Sequence, residues 1–368
     1  MKRTTVELGE VCDFLSGFAF KSDFFSAEPI GLPIIRIRDV LPGSSATFYS
    51  GDYQPLYIVE KGDILIGMDG EFNRERWKSD PALLNQRVCK AISRQSLLDD
   101  AYLYHFLPIL LKKIEDETPF VTVKHLSVAK LKSAQIPLPP LEEQRRIAAI
   151  LDKTDELSGA ERRRHNLLKA FPLSVYRQMF GDPRHNPFQW PVFRLGEICL
   201  NEDARRVPVK SSDRKAMQGR YPYYGASGVI DHVDDYLFDG RRLLVGEDGA
   251  NLIARSSPIA FMADGKYWVN NHAHVLGENG KAKLRFLEFY FGLVDLKPFV
   301  TGSAQPKLTR SALDSLPVPL PPLDLQERFE SVLAALDAKL AQAEISAWQT
   351  SRLSGALRHA TFHGDSGR

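Results

Sequence analysis

Cysteine is scarce in this chain of 368 residues: the three present, Cys12, Cys89 and Cys199, lie far apart and form no CxxC pair. That spacing excludes a disulfide framework or a cysteine-ligated zinc site as the organising device, and it fits a reducing cytoplasm. No apolar run approaches the 18 or so residues a membrane helix needs, and Met1-Lys-Arg-Thr-Thr lacks the apolar core of a secretory signal, so a soluble cytoplasmic protein is expected. Net charge is scarce too. The formal value is +2, and the chain stays near neutral in each segment when cut at 135, 190 and 316. A protein whose affinity came from phosphates alone would need a large basic field, so any nucleic acid would be bound with partners sharing the phosphate contacts.

Catalytic signatures are missing as well. The chain has no GxxxxGK[ST] phosphate loop, no FxGxG cofactor loop and no Asn-Pro-Pro-Tyr base pocket. His272 and His274 sit two apart in an expected strand, but no third ligand is evident nearby, so they read as hydrogen-bonded or solvated histidines rather than metal ligands. Glu247-Asp248 resembles a nuclease carboxylate pair, yet its counterpart Met68-Asp69 lacks one member, and a structural Asp-Gly turn is the better reading. No active site emerges.

What the chain does have is a repeat. Ile136-Pro-Leu-Pro-Pro-Leu-Glu-Glu-Gln144 returns as Val318-Pro-Leu-Pro-Pro-Leu-Asp-Leu-Gln326, with prolines and glutamine in register. Each copy reads as an extended segment stopped by prolines, followed at once by a helix. Pro140 and Pro322 suit a first turn because proline fixes φ near the helical value and lacks the amide hydrogen that turn leaves unpaired. Glu142, Glu143, Asp324 and Glu327 place carboxylates where the helix dipole favours them. Beyond them Ile147, Leu151 and Thr154, and in the second copy Phe329, Leu333, Leu336, Leu340, Ala343 and Ala347, alternate at spacings of four and three. That is a coiled-coil seam, interrupted in the first copy by Ser158, Glu161 and His165. Helices of about 38 residues are expected, spacers that pack on each other rather than core helices.

The segments before each proline motif also match in order. Leu8-Gly-Glu-Val-Cys12 matches Leu195-Gly-Glu-Ile-Cys199; Ile64-Leu-Ile-Gly-Met-Asp-Gly70 matches Leu243-Leu-Val-Gly-Glu-Asp-Gly249; the strand expected from Asn85 matches that from Asn270; and a helix over 99–117 matches Phe286-Leu-Glu-Phe-Tyr-Phe291. Leu32-Pro-Ile-Ile-Arg-Ile-Arg-Asp39 reads as a half-buried strand with Arg36 and Arg38 on its wet face. Met68 to Lys78 reads as a polar loop. The organisation is globule, long helix, globule, long helix: a tandem duplication with 1–135 and 186–316 as globules, and 136–185 and 317–368 as helical regions.

Without an active site, the polar and aromatic loops become the candidates for function. Arginine, lysine, asparagine and glutamine are the side chains that pair with base edges, with aromatics between them. The candidate contacts are Lys21, Arg36, Arg38, Arg74, Arg76, Trp77 and Lys78 in the first globule. In the second they are Arg205, Arg206, Lys210, Tyr223, Tyr224, Ser303 and Lys307. Candidates for the helix pair and partner docking are Gln144, Ile147, Leu151, Gln326, Phe329, Leu333, Leu336 and Leu340.

The repeated segments IPLPPLEEQRRIAAILDKTDEL and VPLPPLDLQERFESVLAALDAKL resemble the conserved regions of the DNA-specificity subunits of type I restriction-modification enzymes. Thr301-Gly-Ser-Ala-Gln-Pro-Lys-Leu308 is also typical, whereas the first half departs there with Thr118-Pro-Phe-Val-Thr-Val-Lys-His-Leu126. The resemblance implies an α+β chain with two α/β target-recognition domains, each followed by a long helix, the helices pairing as an antiparallel coiled coil. It implies double-stranded DNA read as a bipartite site, two methyltransferase subunits carrying S-adenosylmethionine, and two restriction subunits using ATP and Mg. This chain would hold no cofactor or metal and catalyse nothing. The alternative is a coiled-coil interaction scaffold without DNA reading; a stand-alone nuclease is disfavoured by the missing site.

Overall fold

The computed structural model describes residues 4–118, 124–302 and 305–362. Contacts divide it into two units, one formed by the described residues of Met1–Arg162 with those of Ser346–Arg368, the other by Arg163–Ile345. The longer helices are α1 (Asp100–Glu117), α2 (Leu141–Phe180), α3 (Leu284–Leu293) and α4 (Leu323–Phe362), with α2 and α4 each 40 residues long.

In the first unit, Thr5–Glu7 pairs antiparallel with Gln135–Pro137, so the proline motif is zipped to the start of the chain. An antiparallel sheet runs in the order Cys12–Ser16, Val88–Ser93, Ile64–Gly67, Arg74–Arg76. A second sheet holds the parallel pair Leu32–Ile35 and Ala82–Leu84. The other unit repeats the plan. Val192–Arg194 pairs with Pro317–Pro319; Cys199–Asn201, Ala273–Glu278, Arg242–Gly246 and Ala260–Ala263 form the antiparallel sheet; and Gln218–Gly225 lies parallel to Lys266–Val269. The two globules share one strand order, and the first adds an edge strand, Phe25–Ser26, to its parallel-strand sheet.

Two local expectations change. The strand from Leu32 ends at Ile35, and Ile37–Asp39 is a 3-10 turn in which the Asp39 carboxylate accepts from the Arg36 amide at 2.9 Å. The alternation of isoleucine and arginine there mimics a strand, but the aspartate three residues on captures the backbone instead. The polar loop from Met68 contains a strand, Arg74–Arg76, paired in register with Ile64–Ile66.

Each long helix is bolted to its own globule by the repeated glutamine. Gln144 is 1 % exposed; its Oε1 accepts from the Asp99 amide at 2.9 Å, and its Nε2 donates to the carbonyls of Leu97 and Pro139. Gln326 does the same with the Lys283 amide and the Pro321 carbonyl, both at 2.8 Å. Asp99 and Lys283 are the N-cap residues of α1 and α3, so one amide side chain joins the starts of two helices in each copy. Gln144 and Gln326 therefore serve the junction between helix and globule and stand outside the seam.

Seam residues enter the cores directly. Ile147 and Leu151 are buried with Tyr102, Phe106 and Leu110 of α1, and the end of α4 joins them: Phe362 lies 5.2 Å from Tyr102 and 5.5 Å from Phe106. Farther along the two helices in that unit, Arg358 pairs with Asp155 and Ser346 donates to Glu161 at 3.2 Å, so the segments run antiparallel. In the other unit Phe329 and Leu333 share a core with Tyr176 and Phe180 of α2, the Phe329 ring lying 5.7 and 5.2 Å from theirs. Leu336 and Leu340 continue the stripe half-buried, and Ala343 is buried. The polar residues of the first copy keep the rhythm too: Thr154 is buried, and Ser158, Glu161 and His165 are half-buried. Hydrogen bonds replace apolar contact along that stretch, with Ser158 donating to the Thr154 carbonyl at 2.8 Å.

Candidate nucleic-acid interface

In the first globule the structure separates the expected contacts into inward and outward side chains. Trp77 is buried at 1 % exposure among Ile35, Val59, Leu65 and Leu84, and its indole donates to the Asp80 carbonyl at 2.7 Å. It is a core residue, because it lies one position beyond the Arg74–Arg76 strand on the covered side. Arg74 also turns inward: its Nε donates to the Tyr104 carbonyl at 2.9 Å and its guanidinium lies 3.5 Å from the centre of the Tyr104 ring. Burial holds its pKa below the usual arginine range. Arg76 lies 4.9 Å from the same ring centre, and Arg36 is half-buried against Thr47 and Asp39. Lys21, Arg38 and Lys78 face outward, Lys78 with Glu75 at 3.1 Å.

The other globule divides in the same way. Tyr223 is 1 % exposed, its hydroxyl accepting from the Val209 amide at 3.0 Å, and Tyr224 packs on Phe261 and Tyr267. Tyr223 belongs to the core, and Tyr224 is half-buried against a neighbouring cluster, since the parallel strand that carries them is flanked by other strands. Arg206 is half-buried in a charged network. Its Nη1 donates to Glu247 at 2.6 Å and to the Ala273 carbonyl at 2.8 Å, and its Nη2 lies 3.3 Å from Asp203. Arg205, Lys210 and Lys307 remain at the surface, Arg205 over the Phe238 ring and beside Glu202. Ser303 lies outside the described residues.

Asp203, Glu247 and His274 bring three potential ligand atoms within 4.8 Å of one another. Those atoms are already engaged. Asp203 accepts from the Val275 amide at 2.8 Å and faces His274 Nδ1 at 2.6 Å, His274 Nε2 meets the Leu308 carbonyl at 2.8 Å, and Glu247 is held by Arg206 and Lys307. Burial pushes both carboxyls up, but the His274 hydrogen bond to Asp203 and the Arg206 hydrogen bond to Glu247 outweigh it, leaving both below the ordinary range. The Arg206 guanidinium, with Lys307 at the edge, supplies positive charge to the cluster.

The strand alignment exposes residues that the loops concealed. Asp69-Gly70 and Asp248-Gly249 are equivalent turns, and the glycine has positive φ in both, +73° and +106°. In each copy the same three backbone hydrogen bonds fix the surroundings: Met68 N to Arg87 O and Glu247 N to His272 O; Gly70 N to Lys124 O and Gly249 N to Pro306 O; Leu126 N to Met68 O and Leu308 N to Glu247 O. The segment in which the first half departs from Thr301–Leu308 thus ends in the same place. Asp69 receives His125 Nδ1 at 2.6 Å and Arg87 Nη1 at 3.1 Å; Asp248 receives His272 Nδ1 at 2.7 Å, with Lys307 bridged to it through the backbone. Arg87 and His125 carried no sequence signal except the matched Asp-Gly turns and asparagine-led strands, and His272 stood out only by its spacing from His274.

The model of the type I restriction modification DNA specificity domain matches this chain twice, over residues 2–170 and 187–347. The chain belongs to that family. Its relatives include the type I restriction enzyme EcoBI specificity subunit of Escherichia coli, 47% identical over 147 residues, covering 40% of this chain and 31% of the relative. The putative specificity subunit S.HindORF215P of Haemophilus influenzae is 40% identical over 146 residues, 39% of this chain and 36% of the relative. The chain thus spans about a third of the length of these two curated relatives. A broader match, at 23% identity, joins 76% of this chain to 73% of the MjaVIII specificity subunit of Methanocaldococcus jannaschii. In fold, the chain is similar to the S subunit of a type I restriction-modification system from M. genitalium, with TM-score 0.63 and 17% identity over 98% of this chain and 96% of that one.

Within this specificity-family chain the cysteines stay inside. All three are buried, and burial pushes the Cys12, Cys89 and Cys199 thiols up to about 12, which leaves them unreactive. Among the described residues no helix is long and apolar enough to cross a membrane.

Proposed function

We propose that this chain is the DNA-reading subunit of a type I restriction-modification complex. Each globule reads one block of a bipartite double-stranded site, and α2 and α4 set the number of unread base pairs between the blocks. The helical regions dock two methyltransferase subunits, which bind S-adenosylmethionine and flip the target adenine. Two restriction subunits using ATP and Mg complete the assembly, in the cytoplasm. This chain performs no chemical step. Base reading fits its near-neutral charge, because partners share the phosphate contacts.

The observation that carries this reading is the double occurrence of one topology, each copy bolted by an equivalent glutamine to a helix of 40 residues. An interaction scaffold has no need of two equivalent globules with polar rims. The test is selection from a random duplex pool by the chain assembled with its methyltransferase partner. We expect two short blocks separated by a fixed unread gap; a pool that stays unselected would favour the scaffold.

A further inference from the structure

The two globules keep one frame around the Asp-Gly turn and vary what the frame holds. The aspartate, the positive-φ glycine and three backbone hydrogen bonds are common to both. The side chains around it are not: Arg87 stands where the other copy has His272, and His125 where it has Lys307. These four are the exposed members, at 55, 48, 55 and 51 % of their side-chain surface, whereas Asp69 and Asp248 are at 23 and 15 %. Asp69 holds Arg87 and His125, Asp248 holds His272 and Glu247 holds Lys307, so the carboxylates position the four exposed side chains, which are the tips.

We propose that these tips read base edges in the major groove, Arg87 with His125 in one half-site and His272 with Lys307 in the other. The inference rests on the reading of this chain as a DNA-specificity subunit and assigns residues to it. A split asymmetric site asks two modules for one scaffold with different readers, and this is where they differ on equivalent backbone. An ionised carboxylate only accepts hydrogen bonds, so the ring nitrogens of His125 and His272 that face aspartate carry the proton. Nε2 is left as the free recognition atom of each half-exposed ring. Arg87 keeps guanidinium donors beyond the one on Asp69, in the fork geometry that suits guanine O6 and N7. Its φ of +71° is a left-handed conformation uncommon outside glycine, held where the chain turns into the Val88 strand.

The surroundings favour reading over simple charge attraction. In the second globule Glu247 and Asp248 offset Lys307 and Arg206, leaving little net positive field for phosphate. The loop after the parallel strand also crosses beside this rim in both copies. A Cβ added at Gly67 would lie 3.3 Å from Ile37 Cγ1, and one added at Gly246 would lie 2.9 Å from the Ala226 carbonyl oxygen.

The experiment uses the full chain assembled with its methyltransferase partner, a random duplex pool, and binding of a mixed-sequence duplex at several salt concentrations. Arg87→Ala with His125→Ala should cut discrimination at the contacted base pairs of one block by roughly 5- to 150-fold, leaving the other block and the gap unchanged. His272→Ala with Lys307→Ala should do so in the other block alone. Exchange of the tips, Arg87→His with His125→Lys, should change the preferred bases in the first block. The exchange variant must still select a first block, with new bases, and the urea midpoint of the altered globule must stay at the wild-type value; together these report that the altered globule is folded. Equal weakening of both blocks, with the salt slope falling by about one for the loss of Arg87 or of Lys307, would overturn the proposal in favour of phosphate contact. Unchanged selection would overturn it too. A wild-type complex that selects no split sequence would instead defeat the underlying reading, and the proposal with it.

Discussion

Replacing Trp77 with alanine is expected to destabilise the first globule by about 3–5 kcal/mol, the range for removing a buried aromatic from a packed core. The indole touches apolar residues from several strands, and its N–H is satisfied by the Asp80 carbonyl. Truncation therefore opens a cavity and removes a hydrogen bond together. Trp77→Phe keeps most of the volume and should cost less, though more than nothing because the Asp80 carbonyl loses its donor. Urea unfolding followed by a probe in the first unit measures both. A base-contacting Trp77 would give the opposite pattern, with stability nearly unchanged and selectivity lost in one block.

Arg206→Ala should cost the second globule about 3 kcal/mol at neutral pH, because it removes the guanidinium shared by Asp203 and Glu247 and leaves Glu247 with Lys307 and Asp203 with His274 as their remaining side-chain partners. The loss should depend on pH in a set direction. Both carboxyls titrate below their ordinary range in the folded protein. Their contribution is therefore complete above the unfolded value near pH 4 and disappears as pH falls through the folded value. Without Arg206 the folded values rise, and acidification neutralises the two carboxylates. The gap between wild type and variant should accordingly narrow as pH falls through and below about 4, as read from urea midpoints. A gap that stays constant would mean that the guanidinium acts there by packing alone.

Both residues show what the sequence could and could not disclose. The duplication was legible because proline and glutamine are constrained by backbone chemistry: Pro140 and Pro322 start helices, and Gln144 and Gln326 each satisfy a buried amide at a helix N-cap. The seam was legible because its period matches the helix, even where Thr154 and Ser158 replace apolar residues. Side-chain direction was not. Arg206 is charged and reads as surface; Asp203 is a local partner, but Glu247 and Ala273 lie 41 and 67 positions away, beyond any local pattern. Trp77 sat in a segment rich in charge whose central residues are a strand only because Ile64–Ile66 pairs with them. The equivalence of His125 and Lys307 was hidden for another reason. The preceding residues differ in both length and type, and only the hydrogen bonds from Gly70 and Gly249 show that the two segments return to one position.

The account turns on two readers whose spacing is set by α2 and α4, and deleting seven residues, about two helical turns, from each helix tests this most directly. Sequencing the sites methylated by the assembled complex should show the same two blocks with a shorter gap. The same blocks at the original gap would contradict the account.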